Sequence, residues 1–597
     1  MAEVWHDGTS LRQWRMHNFK SVRDASVELA PLTVVVGENS AGKSTLLQSI
    51  RAVVQAGEAT GEAFPLNGDQ VRLGTYQETL SAGAPQEDPQ IGIGGVFHIG
   101  EGSGLSSPVR DNRMRRLRMQ HGSGHAVLDW DVRLQGSPPE QPGQTLLQGM
   151  RLALTYGSTP PVTLTSTGRA ALKGEEVAGY TGTLSVDDNE RELIAVWHRG
   201  GFPQRATRET DLVNYLTEMW MELAQNLTLM AMRSEQSRDR DLGEVSAREQ
   251  HDLTKLASDD IQAVLTEFGQ PDLGDAEYGR RAQLLLNERI SSHGPLDLQA
   301  MLAHRSQILT GVQGRVGVHA RVSAPAEFPE ALREFTNAVH EFLARRVLHL
   351  GPLRMDPQVV YTAAPVGRGG YIGAKGEYCA AVLQSNGRSM VQVPVPGGRA
   401  QARLPLGVAV NKWAAELGIG QEFSTADRGR LGLELAVRQP HVDMPLDLTS
   451  VGTGVSQLLP VLVMCLQAPA GSLLLLEQPE LHLNPAVQQR LADFLLAIAS
   501  SGRQMIVETH SDYLVSRLRR RVAEDASGQV MRQVTILYAE RTDGVSTYTP
   551  FRPAEDGSLP GWPSGFFDQA AEDAEALLLA GLKRSMPGRH QDDPPAL

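Results

Sequence analysis

The placement of apolar residues along the chain predicts its elements before any chemistry is considered. Unbroken apolar runs at Thr33–Val36, Ser472–Leu476 and Met505–Val507 read as strands buried on both faces. Period-two alternation dominates elsewhere. Leu11 to Leu32 reads as two short strands joined by a turn, and Leu66-Asn67-Gly68-Asp69 as a further turn. From about Ile91 to His198 the pattern is antiparallel β, with Ala126, Leu128, Trp130, Val132 and Leu134 alternating with polar residues, and Met150, Leu152, Leu154 and Tyr156 likewise. Segments such as QGSPPEQPGQ separate these strands. Near Glu209 the period changes: Leu212, Leu216, Met219 and Leu223 recur at helical spacing, then Ile261, Val264, Leu265 and Phe268. Leu332, Phe335, Val339, Phe342 and Leu343 share a last helix face that leads into the apolar run Val347–Leu350.

The chain is organised around the first run. It ends in GENSAGKS, Gly37 to Ser44, which matches the phosphate-loop pattern GxxxxGK[ST], and Leu46, Leu47, Ile50, Val53 and Val54 then lie on one helix face. Strand, loop and helix follow in the order that phosphate binding requires. Glycines let backbone N–H groups turn toward phosphates, and the helix N-terminus adds its dipole. Gly37, Asn39, Ala41, Gly42, Lys43, Ser44 and Thr45 are therefore the expected nucleotide-binding residues, with Lys43 as point charge and Ser44 as hydroxyl ligand of Mg²⁺. The expected cofactors are ATP and Mg²⁺.

A hydrolase must also complete the metal shell and position water. The run Ser472–Leu476 ends in Glu477-Gln478-Pro479-Glu480, the form of a Walker B strand with acidic residues at its C-terminal end, where ligands of a parallel sheet bind. Asn484 and Pro485 then open a helix with Val487, Leu491, Phe494, Leu495 and Ile498 on one face. Met505–Val507 delivers Glu508-Thr509-His510-Ser511-Asp512 to the same kind of edge. Upstream, Val451-Gly452-Thr453-Gly454-Val455-Ser456-Gln457 opens a helix as a second anion site. One pocket has little use for two, so this helix start is expected to reach a neighbouring copy's nucleotide, giving a head-to-tail pair.

At 597 residues, with 41% hydrophobic and 21% charged residues, the chain has the composition of a soluble globular protein of several domains or a split core. A net charge of −13 argues against a general polyanion-binding surface. Two local basic clusters, Arg110 to Arg118 and Arg517 to Arg521, read as phosphate contacts, solvated faces or a helix C-terminus. Cys379 and Cys465 stand in no metal-ligand spacing, and the N-terminus lacks an apolar leader. Leu458 to Leu476 is divided by Pro460, Gln467, Pro469, Gly471 and Ser472 into a helix and a strand, so no membrane span is expected and the cytoplasm is the expected location. The tail MPGRHQDDPPAL reads as loose.

The order of P-loop, VGTGVSQLLPVLV, LLLLEQPELHLNP and VETHSDYLVSRL resembles the ABC-type ATPases of the SMC, RecF and overcoming-lysogenization-defect group, over roughly Leu11 to Ile50 and Leu348 to Pro550. LGPLRMDP, EQPELHLNP and GWPSGFFDQ further resemble soluble AAA-family ATPases of prokaryotic antiphage systems, such as the Septu ATPase subunit. The resemblance implies an α/β P-loop NTPase core, a mixed sheet flanked by helices, with an antiparallel β subdomain and a helical insertion. The implied division is 1–100 for the first part of the core, 101–205 for the β-rich subdomain and 206–345 for the insertion. Residues 346–550 then form the second part of the core, and 551–597 a C-terminal segment. It also implies that Gly452, Gly454, Ser456 and Gln457 act as the signature motif in trans, Leu481 to Asn484 as the D-loop, and His510 as switch histidine.

Glu477 would be the metal carboxylate beside Ser44. Gln478 stands where the group has a catalytic carboxylate; an amide orients water but is no general base, which leaves Glu480 as substitute and implies slow turnover. Gln70 and Gln77 are candidates for the glutamine loop, and Arg354 for the site. The implied partners are a second copy or an oligomer of dimers and a separate effector, a nuclease. A RecF-like ATPase contacting double-stranded DNA and a nucleotide-locked scaffold are the alternatives.

Overall fold

The computed structural model describes residues 8–58, 64–85, 89–100, 126–136, 145–156, 161–170, 179–186, 189–199, 202–233, 247–271, 278–293, 296, 298–318, 320–325, 330–362, 371–397, 400–442, 444–563, 566–567 and 569–585. The cluster Arg110 to Arg118 and the tail from Met586 lie outside them.

The apolar runs pair with one another in a six-stranded sheet, ordered Val347–Leu350, Leu473–Glu477, Gln504–Glu508, Leu32–Gly37, Val534–Thr542, Val545–Phe551. All neighbours are parallel except the last pair, a hairpin. The sheet is buried on both faces, as its unbroken apolar runs require. Leu32, Val34, Val36, Leu474 and Leu476 enter one core with the helices Thr453–Gln467 and Pro485–Ser500. Val35, Leu473, Leu475 and Ile506 enter a second core on the other face. There the P-loop helix Lys43–Glu58 contributes Leu46, Leu47, Ile50 and Val53.

That helix is covered in turn by a ten-stranded antiparallel sheet. The strands Ala126–Gly136 and Thr145–Tyr156, expected to belong to a separate subdomain, extend a sheet begun by Val22–Glu28, Thr9–Phe19 and Ile91–Ile99. The reason is continuous alternation: Trp14, Phe97, Trp130 and Leu152 all face the core that holds the P-loop helix. Trp14 Nε1 donates to Ser49 Oγ at 2.8 Å. Gln504 joins the two sheets, its side chain accepting from Leu11 N at 3.1 Å and donating to Leu11 O at 2.6 Å.

The helices Leu212–Arg233, Ala247–Phe268, Tyr278–His293, Leu298–Ala303 and Arg305–Val316 lie in sequence between Phe202–Asp211 and Arg321–Pro325, two strands paired at the end of this sheet. They share a core of their own around Trp220 and Ile261. Its buried carboxylate, Asp260, accepts from Trp220 Nε1 and Arg289 Nε at 2.8 Å each and meets His293 Nε2 at 2.9 Å. The next helix, Glu330–Arg346, belongs elsewhere: Phe335, Val339 and Phe342 pack into the P-loop helix core. The helical excursion is thus a side branch, and its return helix is part of the ATPase core.

Most of the basic run after His510 is engaged within the fold. Arg517 and Arg521, on helix Asp512–Glu524, both clasp Asp493 at 2.7–3.1 Å, Arg519 donates to Gly557 O at 2.9 Å and Arg520 to Glu524 at 2.7 Å. Of the GWPSGFFDQ box, Trp562 and Phe566 stack with Tyr538 at ring separations of 5.9 and 5.0 Å, and Trp562 with Phe551 at 5.0 Å, fixing this segment to the sheet's final hairpin. Among the described residues no helix is long and apolar enough to cross a membrane.

Burial pushes the Asp493 carboxyl up, but hydrogen bonds from Arg521 and Arg517 more than offset it, so it titrates below the usual carboxylate range. Its stabilising effect is therefore present above that range and lost as pH falls through the lowered value. Asp493→Ala should cost about 1–2 kcal/mol near neutral pH. In urea titrations the difference from the parent should close as the solution is acidified.

Candidate functional site

All the polar residues singled out after buried strands converge on the C-terminal edge of the parallel sheet, where strand ends leave backbone and side chains free to meet a ligand. The phosphate loop leaves the central strand at Gly37, whose φ is +145°; Ser40 and Gly42 follow at +61° and +100°. A Cβ on Gly37 would lie 2.0 Å from Ala539 O, and one on Gly42 2.6 Å from Ser546 Oγ. Both glycines are demanded by the hairpin Val534–Phe551, which presses against the loop. Tyr548 clamps it by donating to Gly42 O at 2.7 Å, and Ser546 Oγ bonds Ser21 Oγ at 2.7 Å.

Lys43 is buried and donates to the carbonyls of Gly37 and Glu38 at 3.0 and 2.6 Å. Burial lowers its pKa, and the charges of Glu508 and Glu38 oppose that. Asn39 is exposed on the loop, while Ala41 and Thr45 are buried, with Thr45 N donating to Gly42 O at 3.0 Å.

The acidic partner of Ser44 differs from the expected one. Ser44 Oγ donates to Glu508 Oε1 at 3.0 Å, and Glu508 Oε2 is buried without a hydrogen-bond partner. Burial pushes Glu508 up to about 7, reinforced by Glu477 and Glu480 and opposed by Ser44 and Lys43. Glu477, expected beside Ser44, instead accepts on Oε1 from Arg51 Nη1 at 3.1 Å and meets His349 Nε2 at 2.7 Å. The physical reason is that Arg51, farther along the P-loop helix, and His349, on the strand paired with Leu473–Glu477, both point at this carboxylate. Burial lowers the His349 pKa, so the imidazole is neutral and its Nε2–H donates.

Gln478 takes a left-handed φ of 45°, its N–H donating to Glu508 O at 2.7 Å. Arg354 fixes this turn by donating to Glu477 O at 2.9 Å and Gln478 O at 2.8 Å, its pKa lowered by burial to about 10 and still cationic. Glu480, expected as a substitute base, is buried; its Oε1 accepts from His510 N at 2.7 Å and its Oε2 has no partner. It holds the loop that carries His510. The His510 ring is exposed, and partial burial followed by the Lys43 charge lowers its pKa. Arg51 also donates to Gln70 O, which brings Gln70 to the edge of this cluster.

At the helix Thr453–Gln467, Gly452 is exposed with open space around it, while a Cβ on Gly454 would lie 2.9 Å from His482 O. The helix start is thereby packed on the segment Leu481 to Asn484. Ser456 and Gln457, expected to face a neighbour, are buried in their own chain, and Ser456 Oγ donates back to Thr453 O at 2.8 Å. The helical turn explains it: the residue three positions on lies over its own N-terminal carbonyl, leaving Gly452 and Thr453 outermost.

Comparison with known proteins agrees with the placement of these segments. Residues 11–72 match the family model "AAA ATPase domain", and residues 437–516 match "AAA domain, putative AbiEii toxin, Type IV TA system". Residues 531–577 match a family described only as a protein of unknown function. The two matched segments contain the P-loop, Gly452–Gln457, Glu477–Glu480 and Glu508–His510, so the residues gathered at this sheet edge lie in the parts of the chain that are similar to AAA ATPase domains. Solved structures with similarity include the Smc head domain with an extended coiled coil bound to the C-terminal domain of ScpA from Pyrococcus furiosus (12% identity, TM-score 0.31, covering 96% of this chain and 100% of that one). Another is the SMC head domain from Thermotoga maritima (11%, 0.28, 90% and 98%). A third is the Smc head domain with coiled coil and joint from Pyrococcus yayanosii (12%, 0.33, 95% and 100%). At those scores the fold assignment stands on sheet order and loop geometry. No curated protein matches the chain.

A hard divalent cation suits this edge. Mg²⁺ takes oxygen ligands and binds through one or two protein groups plus substrate phosphates. The Ser44 hydroxyl and the partnerless, buried Glu508 Oε2 provide oxygens of that kind next to the phosphate loop.

Gly37→Ala places a methyl group on backbone at a φ closed to alanine, and should destabilise the protein by about 1–3 kcal/mol or more. Chemical denaturation without nucleotide checks this.

Proposed function

We propose that this chain is an ATPase that binds ATP with Mg²⁺, pairs with a second copy across the nucleotide and passes its closed or open state to a separate effector. The observation that carries it is the convergence of Lys43, the Ser44–Glu508 pair, Gln478 and His510 on one edge of one sheet. Lys43 and the loop N–H groups bind and orient the phosphates. Mg²⁺, when bound, neutralises charge between the terminal phosphates. Gln478, held at its carbonyl by Arg354, orients water, and His510 approaches the terminal phosphate from the next strand.

The exposed helix start at Gly452 and Thr453 is the surface offered to the second copy's nucleotide. A defence role rests on the resemblance to antiphage ATPases, and one matched family's description names a toxin of a Type IV toxin–antitoxin system. The effector of such a complex is a nuclease in the resemblance, and the cytoplasm its location.

A nucleotide-locked scaffold is the second reading, favoured by Gln478 at the water-facing position. DNA contact through the Arg517 to Arg521 run is weakened because Arg517 and Arg521 are held by Asp493 and Arg519 by the Gly557 carbonyl, which leaves Arg520 as the exposed cation of the run.

Lys43→Ala should abolish ATP binding in calorimetry with the fold intact. Gln478→Glu should raise phosphate release about tenfold or more. Turnover absent in the parent and gained in this variant would select the scaffold reading. Gly452→Arg, at a position with open space around it, should prevent ATP-dependent pairing, read by analytical ultracentrifugation, while leaving ATP binding by the single chain in place.

A further inference from the structure

We infer that Glu508, and not Glu477, is the protein carboxylate that joins Ser44 on the metal of the bound nucleotide, while Glu477 is the internal counter-charge of Arg51 and the acceptor for His349. The inference rests on the nucleotide-binding reading above and deepens it.

Ser44 Oγ and Glu508 Oε1 lie 3.0 Å apart. Two oxygens on adjacent corners of an octahedron with bonds of about 2.0–2.1 Å are separated by about 2.9 Å, so the pair has the spacing of neighbouring Mg²⁺ ligands. The serine hydroxyl rotates to turn its proton away. Glu508 Oε2 is buried with no hydrogen-bond partner, an arrangement that costs free energy until a cation or donor satisfies it.

Glu477 differs on each count. Its Oε1 is shared by Arg51 and His349, and a divalent ion placed there would sit against the guanidinium 3.1 Å away. The two carboxylates face each other in register across parallel strands, but the Glu508 strand pairs directly with the P-loop strand and the Glu477 strand lies one farther out. Glu477 therefore fixes the interior of the site, and its neighbour meets the ligand.

The test is the gain in affinity for a non-hydrolysable ATP analogue that Mg²⁺ confers over EDTA, measured by calorimetry. Glu508→Gln should lose this gain, a drop of about tenfold or more, while still binding the analogue in EDTA. Glu477→Gln should keep the gain. Where the glutamine variant melts before measurement, Glu508→Asp substitutes. Its shorter reach should shift the preference from Mg²⁺ toward the longer-bonded Ca²⁺, a shift that Glu477→Asp does not produce. Loss of the gain in Glu477→Gln, or a Glu508→Gln variant that keeps it while losing turnover, overturns the assignment. A parent protein that binds no nucleotide with Mg²⁺ or in EDTA fails the underlying reading instead.

Discussion

One pairing governs the molecule: strand Leu32–Gly37 lies between Gln504–Glu508 and Val534–Thr542, parallel to both. A parallel pair carries no turn of its own and forms only when distant segments return with the right hand and register. Here the partners are supplied some five hundred residues later in the chain, and the hydrogen bonds of Leu32–Gly37 are satisfied only then. The phosphate loop shares that dependence. Its glycines are shaped by Ala539 and Ser546, and its Gly42 carbonyl is held by Tyr548, all from the hairpin that the last parallel strand opens. A P-loop on an isolated N-terminal fragment would have the sequence for phosphate binding without the neighbours that set its backbone.

The same edge brings Glu477 and Glu480 close enough to Glu508 to raise its proton affinity, so the three charges must be distributed among different partners. Arg51 and His349 take Glu477, the backbone of His510 takes Glu480, and Ser44 takes half of Glu508. What is left over is two carboxylate oxygens, on Glu480 and Glu508, with no partner within the described residues. Buried polar atoms of this kind are rare because they cost free energy, and their concentration at a strand edge marks where the fold gives up stability for a ligand.

The strands of the core and the phosphate loop were legible because their signals are local. Thr33–Val36, Ser472–Leu476 and Met505–Val507 are apolar without interruption, and GENSAGKS fixes its chemistry by spacing. The alternation of Ala126–Leu134 and Met150–Tyr156 was legible as strand but not as part of one ten-stranded sheet, since which edge a strand joins is decided by tertiary pairing. That Ser44 meets Glu508 rather than Glu477 was beyond sequence reasoning for the same cause. Both acids end buried strands, and only the inward-pointing Arg51 and His349, neither in any motif, distinguish them. Ser456 is a smaller instance: the sequence shows a serine at a helix start, and only the turn of the helix shows its hydroxyl on Thr453 O.

His349 also gives the helical branch a physical connection to the site. Branch helices and core share few buried residues, but helix Glu330–Arg346, which follows the branch, packs on the P-loop helix through Phe335, Val339 and Phe342 and runs directly into the strand that carries His349. His340 on that helix meets the Gly57 carbonyl near the end of the P-loop helix at 3.2 Å, and His349 meets Glu477 next to Gln478 at 2.7 Å. Close-packed elements move as rigid bodies, so a displacement of this helix would reach the C-terminal end of the P-loop helix through His340 and, through His349 and Glu477, Arg51 in its middle. Coupling between the branch and a bound nucleotide would therefore need no contact between them; it would need only that the return segment have two packed positions for which the nucleotide has different affinities.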